Sequence, residues 1–177
     1  AIPDVEVRIV DDEGAEMPTG EPGEIVVRGY NIMAGYLDDP EATAESVDAD
    51  GWLRTGDIGV MDEAGNIDIT DRKKDMFIVG GFNAYPAEIE NLMLAHDTVG
   101  QVAVVGTPDD RLGEVGVAFV VAASGTTVDP DELVAWSKET MANYKAPRRV
   151  VVLDELPMNV AGNKVDREAL KTHAADG

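Results

Sequence analysis

At 177 residues, 44% of them hydrophobic, the chain has room for one ordinary domain, or for one domain and part of another, around a packed core. A net charge of -21 argues against nucleic acid and anionic membranes as partners, because both would be repelled at long range. The absence of cysteine excludes disulfides, thiolate nucleophiles and cysteine metal sites, leaving His96 and His173 as the imidazoles, and no run reaches the roughly 20 apolar residues of a membrane span.

The chain enters almost directly at an alternating strand, Val5 to Val10, with no initiating Met and no basic-then-apolar leader, as an excised fragment would. A turn at DDEG leads to a second strand, GEIVVRG from Gly23 to Gly29, and the two read as an antiparallel pair. A short helical patch from Pro40 to Val47 precedes GWLRTGD, whose Thr55-Gly56 reads as a tight turn ending at Asp57. Strands at Ile58 to Met61 and Ile67 to Ile69 follow, joined through DEAGN. Residues 1–74 hold 19 acidic against 6 basic side chains, more than their share of the negative charge.

After Asp71 the texture changes, and strands begin to alternate with helices around the charged cluster RKKD. Phe77 to Val79 reads as a short strand, and Pro86 opens a helix that puts Ile89, Leu92 and Met93 on one face, with His96 near its end. Val102 to Val105 and Val115 to Val121 read as paired strands around a polar loop containing Pro108, Asp109, Asp110 and Gly113. Asp129, Pro130 and Glu132 give a helix-start signature for a helix ending near Asn143. Arg149 to Leu153 reads as a further strand, and a loop from Pro157 to Lys164 leads to a last helix near Arg167 to Thr172.

Several residues carry chemistry in this pattern. Asp57 could accept two hydrogen bonds from a vicinal diol, or merely cap a turn. Arg72 reads as a surface ion pair with Asp71 or Asp75. Lys74 lies in what could be a plain basic linker. Gly80 and Gly81, with Asn83, suit a close backbone approach or an ordinary strand-to-helix turn. Tyr144, Lys145 and Arg148, in NYKAPRR, could stack a base and pair phosphates, or simply end a helix. Lys164 is a mobile ammonium in a Gly-containing loop, suited to bridging two anions.

Together and in order, GEIVVRGYNIMAGY, GWLRTGD, DRKKDMFIVGGFNAYPAEIE and LPMNVAGNKVDREAL resemble the adenylate-forming superfamily of AMP-forming acyl-CoA synthetases, over essentially the whole chain. The resemblance implies an α+β chain. Residues 1–72 would be the strand-rich end of a large AMP-binding N-terminal domain, 73–74 a hinge, and 75–177 a compact α/β lid with a short mixed sheet flanked by helices.

It also implies roles for the residues. Asp57 and Arg72 would grip the ribose of ATP, Lys74 would be the pivot, and Gly80, Gly81 and Asn83 would line the pantetheine tunnel. Tyr144, Lys145 and Arg148 would lie near the CoA nucleotide, and Lys164 would promote adenylation. The loop before Lys164 is one residue longer than the family pattern. ATP, CoA and Mg2+ are the implied cofactors, with Mg2+ bound mostly through phosphate and water. A carboxylic acid is the implied substrate, the missing N-terminal domain the partner, and the cytoplasm the location. No phosphate loop and no acyl pocket are present, so the fragment alone is expected to be inactive. The DRKKDMFIVGGFNAYPAEIE wording looks like that of actinobacterial fatty-acyl and steroid-side-chain ligases. A carrier-protein-loading adenylation domain and a non-catalytic module that keeps the lid fold are the alternatives.

Overall fold

The alternating first segment forms β1 (Val5–Val10), which pairs antiparallel with β2 (Gly23–Gly29), Val5 standing opposite Gly29 and Val10 opposite Glu24. The computed structural model describes residues 2–176, so Ala1 and Gly177, the ends of the expected domain ranges, lie outside the described residues. The chain divides into two compact units, Ala1–Lys74 and Asp75–Gly177. The architecture is α+β, each unit having its own sheet.

In the first unit β3 (Leu53–Met61) and β4 (Ile67–Arg72) extend the sheet to the order β1-β2-β3-β4. A single short helix, α1 (Pro40–Ser46), starts where the Asp39 carboxylate accepts from the Ala42 amide at 2.9 Å. The core here is small: Val10, Val26 and Trp52 cluster, with the Arg8 and Arg28 guanidinium groups 4.4 and 4.5 Å from the indole centroid. Two expectations fail. Thr55-Gly56-Asp57 is no tight turn but part of β3, where these three residues stand opposite Ile25 alone as a bulge, with Gly56 at φ +72. β4 also runs on through Asp71 and Arg72, and only Lys73–Asp75 leave the sheet, as a 3-10 turn.

The second unit is built on a strand buried on both faces. β7 (Val99–Asp109) and β8 (Gly113–Ala122) form a long hairpin, and β8 also meets β5 (Phe77–Val79) near its start and runs parallel to β9 (Arg149–Val152). Alternation splits β8 between two cores, which is why it reads as an unbroken apolar run. Ala118 and Val120 pack with Ile89 and Met93 of α2 (Pro86–Met93) and Leu133 of α3 (Pro130–Thr140). Val117 and Phe119 pack with Leu156 and with Leu170 of α4 (Arg167–Asp176).

Asp129 caps α3 as the sequence implies, accepting from the Asp131 and Glu132 amides. Pro108, Asp109 and Gly113 belong to strands rather than to a loop; β7 is an edge, where a missing proline N–H breaks no ladder. Phe82–Ala84 form an unanticipated strand, β6, hairpinned to β5. His96 lies beyond the end of α2, α3 stops at Thr140, and α4 continues to Asp176.

Candidate functional site

In the first unit the bulge on β3 turns Asp57 toward β4, where it registers with Arg72. The Arg72 Nε lies 3.1 Å from Asp57 Oδ1, with side-chain exposures of 56% and 28%. Such a pair is worth about 0 to 1 kcal/mol to stability. Both groups keep free acceptors and donors, which is what recognition of a vicinal diol requires. Thr55, Gly56, Arg72, Lys73 and Lys74 line an open depression of about 400 Å3 beside them. The Asp57 amide donates to Thr55 Oγ1 at 3.1 Å, and the same hydroxyl donates to the Ile25 carbonyl at 2.7 Å.

The two lysines of the turn differ in kind. Lys73 is half-buried between Asp12 and Glu24, at 2.7 and 3.0 Å. Burial works against its ammonium, but the hydrogen bonds and charges of the two carboxylates outweigh that and raise its pKa. Lys74 is exposed, and among the described residues nothing holds its ammonium.

In the second unit Gly80 and Gly81 make the two-residue turn between β5 and β6, with φ +58 and +90. A hairpin of that type needs positive φ at both central positions, so the glycine pair has a backbone reason of its own. The Gly80 amide donates to the Leu112 carbonyl at 2.8 Å, tying this turn to the loop between β7 and β8. Asn83 stands exposed on β6 opposite Ile78. Beside it the Phe82 ring stacks on Tyr144, centroids 5.0 Å apart and planes at 22°. The Lys145 ammonium sits 5.5 Å from the Tyr144 centroid and 2.5 Å from Glu88 Oε1. Burial opposes its charge, but the Glu88 hydrogen bond and charge prevail, and its pKa is raised. Arg148 donates its amide to the Gly116 carbonyl at 2.8 Å. The structure thus gathers Gly80, Gly81, Asn83, Tyr144 and Lys145 in one place.

Lys164 is elsewhere in this unit. Its loop is closed by a bridge between Met158 and Val165 and by the Asn159 amide donating to the Lys164 carbonyl at 2.8 Å. The ammonium is exposed, with no hydrogen bond or ion pair among the described residues, and Met158 and Val160 beside it are exposed too. Below the loop, Arg167 fastens the start of α4: its guanidinium reaches Glu90 at 2.8 and 3.3 Å and the Val104 carbonyl at 2.7 Å.

The chain matches the AMP-binding enzyme family over residues 1–37 and the AMP-binding enzyme C-terminal domain over residues 88–163. It is 54% identical, over 97% of its length, to 31% of the 3-[(3aS,4S,7aS)-7a-methyl-1,5-dioxo-octahydro-1H-inden-4-yl]propanoyl:CoA ligase of Rhodococcus jostii. It is 44% identical, over 94% of its length, to 29% of the long-chain-fatty-acid–CoA ligase of Escherichia coli. The ATP-bound crystal structure of MatB from Rhodopseudomonas palustris superimposes with a TM-score of 0.90 at 38% identity, over 99% of this chain and 35% of that one. The chain belongs to the AMP-binding enzyme family.

It spans about a third of the length of the curated relatives it matches. Tyr144, Lys145 and Arg148 fall inside the C-terminal family segment, whereas Asp57, Arg72, Lys74, Gly80, Gly81 and Asn83 lie between the two segments and Lys164 just after the second.

Sequence reasoning missed the residues that hold the site. Glu24 is a 4% exposed carboxylate inside an apolar strand, and that oddity was its only local signal. Phe82, Glu88 and Glu114, the last of which accepts from the Ile78 amide at 2.9 Å, gave no local signal at all.

Proposed function

We propose that the chain is part of an acid–thiol ligase. It would activate a carboxylic acid with ATP to acyl-AMP and pyrophosphate, then transfer the acyl group to CoA. The observation that carries the reading is the Asp57–Arg72 pair across β3 and β4, close to an exposed Lys74, in a chain whose exposed Lys164 ammonium has no hydrogen bond or ion pair among the described residues.

The Asp57 carboxylate accepts from the two ribose hydroxyls, and Arg72 orients it while donating to the same sugar. In the first half-reaction a substrate carboxylate oxygen attacks the α-phosphorus and pyrophosphate leaves. Two anions must meet, so an ammonium between them lowers the barrier, and Lys164 supplies it. In the second, the CoA sulfur adds to the acyl carbonyl and AMP departs. Gly80, Gly81 and Asn83 admit the pantetheine arm, with Tyr144, Lys145 and Arg148 near the nucleotide end of CoA. Lys74 is the pivot between the two geometries.

Mg2+ enters as part of the ATP complex, held mostly by phosphate and water. The remaining two thirds of such a polypeptide supply the phosphate loop and acyl pocket, and the isolated chain is inactive. No described helix is long and apolar enough to cross a membrane. The proposed place of action is the cytoplasm. A fatty or related acid is the substrate class, a choice supported by the names of the two ligases above.

Pyrophosphate release by the full-length protein, screened across a panel of carboxylic acids, tests the reading. Lys164→Ala should slow adenylation by about 100-fold or more, while thioester formation from supplied acyl-AMP changes far less. Equal turnover in the variant would remove Lys164 from the chemistry, and a protein that releases pyrophosphate with no acid would remove the reaction.

A further inference from the structure

We infer that Glu24 is a positioning residue for the ribose clamp, its buried carboxylate bracing both strands that carry Asp57 and Arg72. The inference rests on the proposed function, because it gives Glu24 a nucleotide to serve.

The geometry is specific. Glu24 Oε1 accepts from the Gly56 amide at 3.2 Å, inside the bulge and next to Asp57. Its Oε2 accepts from Arg54 Nη1 at 2.7 Å, just before the bulge, and from Lys73 Nζ at 3.0 Å, next to Arg72. One side chain thus grips the β3 residues before and within the bulge and the residue that follows β4. Asp57 and Arg72 are the positions left between these ties, with side-chain exposures of 28% and 56%.

A carboxylate 4% exposed inside an apolar strand is costly unless paired. A packed apolar side chain would serve the sheet as well or better, so stability alone gives no reason for an acid here. The bulge does give one. Three residues stand opposite Ile25 with their ladder bonds broken, and Gly56, at φ +72, has an amide with no strand partner. Glu24 takes that amide, while the Thr55 hydroxyl takes the amide of Asp57. Without the first tie the bulge can relax toward a regular strand, which would swing Asp57 away from Arg72. The second tie matters as much, because Lys73 sits in the turn that leads to Lys74; anchored to Glu24 and Asp12, it ends the rigid part of the chain at Lys73. Motion is then confined to the next residue, and the clamp stays formed while the pivot works.

The test uses Glu24→Gln in the full-length enzyme, with two readouts. Steady-state kinetics should show KM for ATP raised about tenfold with kcat within about threefold, the pattern of lost ground-state and transition-state binding together. NMR of the same variant should show the Gly56 amide exchanging faster and the Lys73 ammonium titrating closer to an ordinary lysine. A folded variant with an unchanged KM for ATP overturns the inference, as does one in which activity falls only in proportion to the folded fraction. Should Glu24→Gln not fold, Lys73→Gln keeps the other two ties and should raise KM for ATP in the same direction; no rise overturns the inference. If the wild-type enzyme adenylates no acid, the proposed function falls, and titration with AMP decides for Glu24 separately. Weaker AMP binding by Glu24→Gln than by wild type supports the brace, whereas equal binding, or none by either protein, overturns it.

Discussion

Lys145 and Glu88 illustrate how much a single pair can change the reading of a residue. The sequence offers Lys145 as a free cation beside Tyr144, yet its ammonium is already matched at 2.5 Å by Glu88. A phosphate arriving there must displace Glu88 or share the charge, so the patch is weaker than its composition suggests. The pair also sets a pH dependence. The pKa of Lys145 is raised above its ordinary 10.5, because the Glu88 hydrogen bond and charge more than offset burial. Its contribution is therefore fully present at neutral pH and fades only as pH climbs through the raised value. With Glu88 40% exposed the effect is small, at most about 1 kcal/mol. Glu88→Gln should accordingly lower stability to denaturant at pH 7 and leave it equal to wild type once Lys145 is deprotonated. A deficit of constant size across both conditions would show that Glu88 acts by packing instead of charge.

At the scale of elements, the place of β5 is decided by two glycines that face each other across β7 and β8. Gly106 pairs with Gly116, and the Phe77 ring, 2% exposed, fills the slot they leave. A Cβ on Gly106 would collide with Phe77 Cβ and Cγ, and one on Gly116 would lie 3.2 Å from Phe77 Cζ. Gly106→Ala should therefore cost about 1 to 3 kcal/mol by denaturant unfolding, the range for overpacking a tight core. Phe77→Leu should relieve part of that cost in the double variant, and coupling below about 0.5 kcal/mol would mean the slot is not what holds the strand.

None of this slot was legible beforehand, since Gly106 falls just past the strand expected at Val102 to Val105. Legible features were those with a local cause: the alternation of β1, the Asp129 cap on α3, and the unbroken run of β8 covered on both faces. The bulge at Thr55-Gly56-Asp57 was not, because a glycine after a threonine signals a turn unless sheet partners on both sides are known. Glu24 was hidden for the same reason, its partners Arg54 and Lys73 lying 30 and 49 residues away. The candidate binding residues carried their motifs openly; the groups that hold them in place are fixed only by tertiary contact.

For the molecule as a whole, the division at Lys74 implies that folding is not a single event. The first unit, with a four-stranded sheet and one short helix among its described residues, has a core cluster of Val10, Val26 and Trp52, with Ile9, Ile25 and Ile58 also buried. The second buries two clusters, one on each face of its sheet, around Phe77, Ile89 and Leu133 and around Phe119 and Leu170. Burial of apolar area is the main source of stability, so the first unit should open at lower denaturant than the second. Charge pushes the same way, because 19 acidic against 6 basic side chains in residues 1–74 repel one another in the compact state. The chain carries its own reporters, with Trp52 in the first unit and Trp136, edge-on to His96 at 4.9 Å, in the second. Trp136→Phe leaves fluorescence from Trp52 alone, and Trp52→Phe leaves Trp136 alone. The Trp52 signal should change first, and raising salt from about 0.01 M to 0.15 M, which shortens the screening length from roughly 30 to 8 Å, should raise its midpoint more than that of Trp136. Coincident transitions for the two probes at both salt concentrations would mean that the two units unfold as one.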